Sequence, residues 1–472
     1  MKKKLFALIA VFILLPFMLT AGGKKQEAPA NTGALKQIEG GNGIVRAKPE
    51  LTGLIRIGYY SLNELTGPDP ITGQTVYGAD ELMKWLKKDY PNMDFEIIAY
   101  PGTADHYVRA KALMDARQVD LMIESSTQQI YQEGYSMDLT PFINADPEYK
   151  VEYHSSPLLG YYYREINPQF PDDITKRIAN CLPYNGGPDI LWYDKEIFKQ
   201  WGVEPLSKDP TPDEIYDKAK RMTGKNPVTG QQNYGLFFPT GGKPATWNMA
   251  VLVGYYGGDI GDNMPNEWDT KVTVNTPPWI KALTWVKSIQ PFTPPGAETG
   301  QGAELFYTAN NNIAMRFDGA SNQAFVIEAL GLTDKYEPSN RPEDKDGNHA
   351  RLGGVRVQVM KTASNPQLAW EVAKWFSEGN GQRFLVSTQL GWPTSIKALG
   401  DDFQMSDFMR RTMEVGSHIT KKTPIDSLQI HLIMIEAIES VTLKNVDPKV
   451  ALDNAEKVKE ETYARLKAAA GK

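Results

Sequence analysis

Between residues 54 and 123 short β-branched runs alternate with amphipathic helical stretches, and this alternation constrains the fold more than any other feature of the chain. Leu54-Ile55-Arg56-Ile57-Gly58-Tyr59 reads as a strand. A Gly/Pro/Asp-rich loop from Thr66 to Gly73 leads into a helix over about 80–90, with Leu82, Trp85 and Leu86 on one face and Pro91 as its stop. Phe95 to Tyr100 is the next strand, Thr103 caps a helix through Arg117, and Val119 to Ile123 is the third strand. Parallel neighbours need a crossover between them, so strand–helix–strand order specifies a parallel sheet covered by helices. Such sheets take ligands at the carboxyl ends of their strands. Here those ends are Tyr59-Tyr60, Tyr100-Pro101-Gly102 and Glu124-Ser125-Ser126.

A second α/β unit begins near Leu182-Pro183-Tyr184-Asn185-Gly186-Gly187. Ile190 to Tyr193 reads as a strand, and Asp194 caps a helix ending at Trp201-Gly202. Thr211-Pro212-Asp213-Glu214 has the form of a capping box with proline in the first turn. Tyr234 to Phe238 and Ile313 to Phe317 are further strands, the latter ending in Asp318-Gly319. Residues 334–351 are charged and rich in Pro, Gly and Asn, which predicts a long surface loop. Ser364-Asn365-Pro366 opens another helix, 428–443 is apolar nearly all round and so buried, and Asp447-Pro448 caps a last helix. No internal repeat is present.

The first 21 residues have the three parts of a secretory signal: Lys2, Lys3 and Lys4, an apolar run from Leu5 to about Leu19, and the small residue Ala21. Pro16 interrupts a run already shorter than the roughly 20 apolar residues a bilayer span needs. Residues 22–46 lack apolar periodicity and read as a flexible tether. Removing the three lysines takes the formal charge from −6 to −9. An acidic surface argues against nucleic acid and anionic lipid as partners. The lone Cys181 allows no internal disulfide, and its Pro/Gly-rich surroundings suit a small buried residue better than a nucleophile.

The chain offers no organised catalytic chemistry. His106, His154, His349, His418 and His431 have no metal-pair spacing. Neither a Gly-x-Ser-x-Gly elbow nor a phosphate-binding loop occurs. Glu343 to Asn348 resembles part of a calcium loop, but Pro342 stands where a ligand belongs, so a solvated turn is expected. Carboxylates abound, yet nothing selects the pair a glycosidase requires. No metal or cofactor is expected.

Four stretches then occur in a telling order: Leu182-Pro183-Tyr184 through Ile190-Leu191-Trp192-Tyr193-Asp194-Lys195-Glu196-Ile197-Phe198; Gly202-Val203-Glu204-Pro205 with Thr211-Pro212-Asp213-Glu214; Phe306 through Ala314-Met315 to Asp318-Gly319-Ala320; and Ser364-Asn365 through Ala369-Trp370 and Gln382 to Gly391-Trp392-Pro393. In that order they resemble the extracellular solute-binding proteins of ABC importers, in particular the sugar-binding family that includes maltose-binding proteins. Trp192, Asp194 and Pro212 depart from that pattern, as does the lack of its Gly-Lys and Trp near 306–320.

The resemblance implies two α/β lobes built from discontinuous pieces, 47–180 with 302–362 and 181–301 with 363–472, with crossings near 180, 301 and 362. A ligand would sit in the cleft while the lobes close by a hinge motion. It further implies a periplasmic, monomeric carbohydrate-binding component that hands its ligand to a membrane permease. A secreted carbohydrate-active enzyme, a binder of a non-sugar solute and a sensor are the alternatives. Related lipoproteins carry a lipid-bearing cysteine where this chain has Gly22, so a freely released protein is expected.

A sugar-binding site needs aromatic plates for C–H faces and carboxylates or amides for hydroxyls. Trp247, after the loop Thr240-Gly241-Gly242-Lys243-Pro244, and Trp392, in a Gly-Trp-Pro turn, read as loop tryptophans suited to cover a cleft. Trp192 reads as core. Asp318, beside Gly319, is either a ligand contact or a helix cap, and the same choice applies to Glu124 and Ser125. Of Tyr59 and Tyr60, one faces the cleft and one the core. Asn185 and Tyr184 touch the ligand or shape the hinge.

Overall fold

The computed structural model describes residues 44, 46–68, 75–100, 106–150, 153–154, 169, 173, 176–260, 272–299, 303, 306–308, 310–320, 323–348, 352–388, 390–395, 397–400, 406–415 and 428–469. All lie in the unit Thr32–Lys472. The signal segment, nearly all of the tether, His349 and His418 are outside the described residues.

The strands are β1 (Gly53–Tyr60), β2 (Gly67–Pro68), β3 (Thr75–Val76), β4 (Met93–Tyr100), β5 (Leu121–Glu124), β6 (Leu182–Asp194), β7 (Gly224–Lys225), β8 (Gln232–Phe237), β9 (Ile313–Ala320), β10 (Tyr336–Ser339) and β11 (Leu352–Val359). Apart from the pair β2–β3, they form one sheet in the order β4-β1-β5-β11-β6-β9-β8-β7, with β10 on β6. As the sequence predicts, β4, β1 and β5 run parallel, from Gly53 opposite Met93 to Tyr60 opposite Tyr100. β8 and β9 are a second parallel pair.

Strand β6 joins the two halves. Its first part pairs antiparallel with β11, from Leu182 opposite Val357 to Pro188 opposite Leu352. Its second part pairs with β9, starting at Asp189 opposite Ala320, and with β10. The strand expected over 190–193 is therefore the second half of a 13-residue strand. The Pro/Gly run that looks like a turn is a place of close backbone approach: a Cβ on Gly354, whose φ is +151°, would lie 2.0 Å from the Asn185 carbonyl oxygen. Residues 391–395 add a further crossing piece. Gly186 N donates to Trp392 O at 3.1 Å, and a Cβ on Gly391 would lie 2.3 Å from the Asn185 amide.

Separate cores flank the sheet. One packs β1, β4, β5, the start of β6 and the end of β11 against helices Ala79–Asp89, Pro366–Glu378 and Asn380–Ser387, through Leu82, Leu86, Trp370, Trp375, Phe376 and Phe384. Another packs the end of β6, β8 and β9 against helices Lys195–Trp201, Pro212–Arg221, Gly242–Tyr255, Pro277–Ser288, Leu428–Thr442 and Pro448–Ala469. Trp192, Phe237, Phe306, Tyr336 and Phe408 form a further cluster that β6, β8 and β10 share. The described residues of 306–336 thus pack with the second half and 368–385 with the first. Helical periodicity shows that a face is buried, not which sheet buries it.

The local signals hold. Asp194 accepts from Glu196 N and Ile197 N, Thr211 from Glu214 N, and Asn365 from Leu368 N. The capping box is one-sided, because Glu214 reaches Ser207 N at 2.8 Å. The expected surface loop at 334–351 instead contains β10, with Tyr336, Ser339, Asn340 and Arg341 buried. Asp344 folds the 343–348 segment into a turn by accepting from Asp346 N and Asn348 N.

Candidate functional site

The carboxyl ends of β1, β4 and β5 lie next to one another and gather a polar cluster around Glu124. Its Oε2 accepts from the Tyr100 hydroxyl at 2.6 Å, and its Oε1 from Ser125 N at 2.6 Å, Ser125 Oγ at 3.0 Å and Ser126 N at 3.3 Å. His106, from helix His106–Asp115, brings Nδ1 to 3.1 Å of Oε1. Burial works to raise the Glu124 pKa, but His106, Tyr100 and Ser125 N together hold it below the usual carboxylate range. Glu124 is therefore held ionised in a dry setting. Burial, together with that charge, pushes the phenols of Tyr60 and Tyr100 up, so both stay neutral donors.

Tyr59 and Tyr60 divide as strand alternation requires. Tyr59 is buried, and its hydroxyl donates to that of Tyr184 at 2.9 Å inside the first core. Tyr60 is half-buried, with its ring 4.6 Å from that of His106. Ser125 is half-buried beside it. Three members of this region carry no local signal in the sequence. His106 lacks metal-pair spacing, and Tyr100 reads only as a strand end. Arg356, from β11, donates through Nη1 to Ser125 O at 2.6 Å across a separation of 231 residues that no local pattern reveals.

Asn185, on the crossing strand, accepts from Trp392 N at 2.9 Å, so its amide shapes the crossing. Trp392 is 3% exposed and packs on Phe325 with ring centroids 5.2 Å apart, which makes it a core residue and not an open plate. Trp192 is fully buried. Gly319 pairs with Ile190 near the end of β9, and Asp318 precedes it in the same strand. The Asp318 side chain is outside what the structure describes.

Trp247 is not in a loop. Helix Gly242–Tyr255 starts at the second glycine, and Pro244 fits its first turn, so Trp247 sits in its second. The ring meets His431 edge-on at 5.7 Å, and His431 Nδ1 lies 2.5 Å from Thr246 Oγ1. Trp247, Met249, Trp279, Ile430, His431 and Met434 line a cavity of about 30 Å³. That is small beside the several hundred Å³ of a typical ligand site. Among the described residues, no group of three or more metal-ligating side chains occurs, and no helix is long and apolar enough to cross a membrane.

Comparison with known proteins agrees with this architecture. The family model of the bacterial extracellular solute-binding proteins matches residues 77–379. An uncharacterized ABC transporter extracellular-binding protein of Pyrococcus horikoshii is 24% identical over 156 residues, which are 32% of this chain and 32% of that protein. An ABC substrate-binding protein of Listeria monocytogenes, solved in complex with cycloalternan, superposes with a TM-score of 0.69 at 17% identity, over 88% of this chain and 100% of the other. A solute-binding protein of Thermotoga lettingae bound with α-D-tagatose gives 0.68 at 16% identity, over 87% and 100%. The chain has the two-lobed fold of these proteins.

Proposed function

The chain belongs to the bacterial extracellular solute-binding proteins, and we propose that it captures a carbohydrate between its lobes and delivers it, as a monomer, to the permease of an ABC importer. The observation that carries this reading is the Glu124 cluster at the strand ends, beside a crossing strand shared by two cores. The half-buried Tyr60 and Ser125 supply the plate and hydroxyls that a polyhydroxylated ring needs, held in place over the buried Glu124 carboxylate. Cycloalternan and α-D-tagatose in the structural relatives support a sugar or related polyol as the ligand. Tyr60, Glu124 and Ser125 serve the first lobe, Asp318 and Gly319 the second, and Asn185 holds the crossing.

The packing supports lobes of 46–183 with 356–390 and of 189–340 with 397–469, joined by β6, β11 and 391–395. Closure about these three segments buries the ligand. A thermal-shift screen over mono- and oligosaccharides and alditols tests the reading. A ligand at one hundred times its Kd adds about 2.7 kcal/mol of stability. Stabilisation by peptides or polyamines with none by sugars would retire the carbohydrate and keep the importer.

A further inference from the structure

We propose that Glu124 serves the ligand without touching it, as the positioning residue of the Tyr60 ring, and that it acts through Tyr100 and His106. The inference rests on the carbohydrate-binding reading and deepens it by saying how the plate of that site is held. Glu124 has no exposed surface. Five groups surround its carboxylate: the Tyr100 hydroxyl at Oε2, and Ser125 N, Ser125 Oγ, Ser126 N and His106 Nδ1 at Oε1. A carboxylate has about four acceptor positions, so these groups fill it. A sugar hydroxyl finds neither a path to this acid nor a place on it. What the strand ends offer a ligand is Tyr60 and Ser125, both half-buried.

The Tyr60 ring packs against two others. Its centroid is 4.6 Å from that of His106 at an interplanar angle of 52°, and 6.2 Å from that of Tyr100 at 59°. Two oblique contacts restrict a ring more than one stacked face does, because turning it about χ1 or χ2 runs into one neighbour or the other. Both neighbours end on the same acid. The Tyr100 hydroxyl is 2.6 Å from Oε2, and His106, the first residue of helix His106–Asp115, has Nδ1 3.1 Å from Oε1. An ionised oxygen at that distance places a proton on Nδ1, which sets the tautomer and the orientation of the imidazole.

Tyr60, Tyr100 and Glu124 end β1, β4 and β5, and the parallel register sets those ends side by side. The permanent charge of Glu124 is thus used on the two rings, and the two rings on the plate. A side chain already ordered before the ligand arrives spares the complex that entropy, worth about two- to tenfold in affinity.

Isothermal titration of the full chain with maltotriose, D-mannitol, ribitol and D-tagatose tests this, and whichever binds is carried to the variants. His106→Phe keeps a ring beside Tyr60 and removes the proton offered to Glu124; Tyr100→Phe does the same at the other neighbour. Each should weaken binding about threefold or more in the wild-type background. In a Tyr60→Ala background each should change it by less than about twofold, because the group they act through is gone. Residues with only a structural role would cost the same factor in both. In the wild-type chain labelled at Tyr and His, an NOE between the Tyr60 and His106 rings should be present before any sugar is added, and this readout decides even if the variants fail to fold. An NOE that appears only with the sugar overturns the inference. So do wild-type affinities in both Phe variants, or equal losses with and without Tyr60. A wild type that binds none of the four overturns the carbohydrate reading and this inference together.

Discussion

Glu124 and Glu378 are both fully buried glutamates with a histidine close by, His106 at 3.1 Å and His154 at 3.7 Å, yet their protonation is driven in opposite directions. Glu124 receives the Tyr100 hydroxyl, the Ser125 hydroxyl and two backbone N–H groups, besides His106. Its pKa falls despite burial. Glu378 has Arg46 Nη2 at 2.8 Å and Lys150 N at 3.2 Å, and it is the last residue of helix Pro366–Glu378, where the dipole disfavours a negative charge. Burial dominates there and raises its pKa to about 7. Burial alone does not set the charge of an acid; the number of donors brought to it does. The well-supplied acid lies at the strand ends, where a ligand would need a permanent charge. The poorly supplied one helps fasten residues 46 and 150 to the back of the first lobe.

The largest test of this contrast is removal of each side chain. Glu124→Ala leaves the Tyr100 hydroxyl, His106 and two N–H groups buried around an absent acceptor, and should cost about 3–5 kcal/mol in urea unfolding. Glu378→Gln should stay within about 1 kcal/mol of the wild type at pH 7, because Arg46 keeps its bond to Glu148 O at 2.6 Å. Equal losses would mean that donor number is not what separates the two sites.

The next effect is in pH. The folded-state pKa of Glu378, about 7, exceeds its ordinary 4.5, so the folded chain holds this proton more tightly than the unfolded one. The stability it contributes is complete below pH 4.5 and is lost as pH rises through about 7, some 3 kcal/mol in all. Glu124 acts in the other sense: its contribution is present above pH 4.5 and is lost as pH falls through its depressed folded value. Glu378→Gln should flatten the decline between pH 5 and 8 and leave the acid limb intact. An unchanged slope there would show that Glu378 is ionised throughout.

What the sequence disclosed was what local chemistry determines. The strands and helix of 53–100 and the caps Asp194, Thr211 and Asn365 each follow from a few neighbouring residues. The strand-end rule also brought Tyr60, Glu124 and Ser125 to one place. The long strand β6 was hidden because Pro183, Gly186, Gly187 and Pro188 have the composition of a turn, and its partner β11 comes some 170 residues later. The lobe to which 306–336 and 368–385 belong depends on the same distant pairings. Arg356 enters the site region from a segment with no catalytic or binding motif, and only the sheet register places it beside Ser125.

The smallest expected difference separates two aromatic residues. Tyr60 is half-buried at the strand ends against His106, whereas Trp247 stands in a helix against His431, over a small cavity. If Tyr60 is the plate, Tyr60→Ala should weaken sugar binding by about tenfold, the worth of a stacked ring. Trp247→Phe should leave affinity within twofold and lower Tm by a few degrees, because truncating a packed indole enlarges an existing void. Titration calorimetry and thermal unfolding on the two variants give both readouts. A Trp247→Phe chain that keeps its Tm and loses the sugar would reverse the assignment. It would move the aromatic plate from the first lobe to the second, leaving the Glu124 cluster to hold hydroxyls alone.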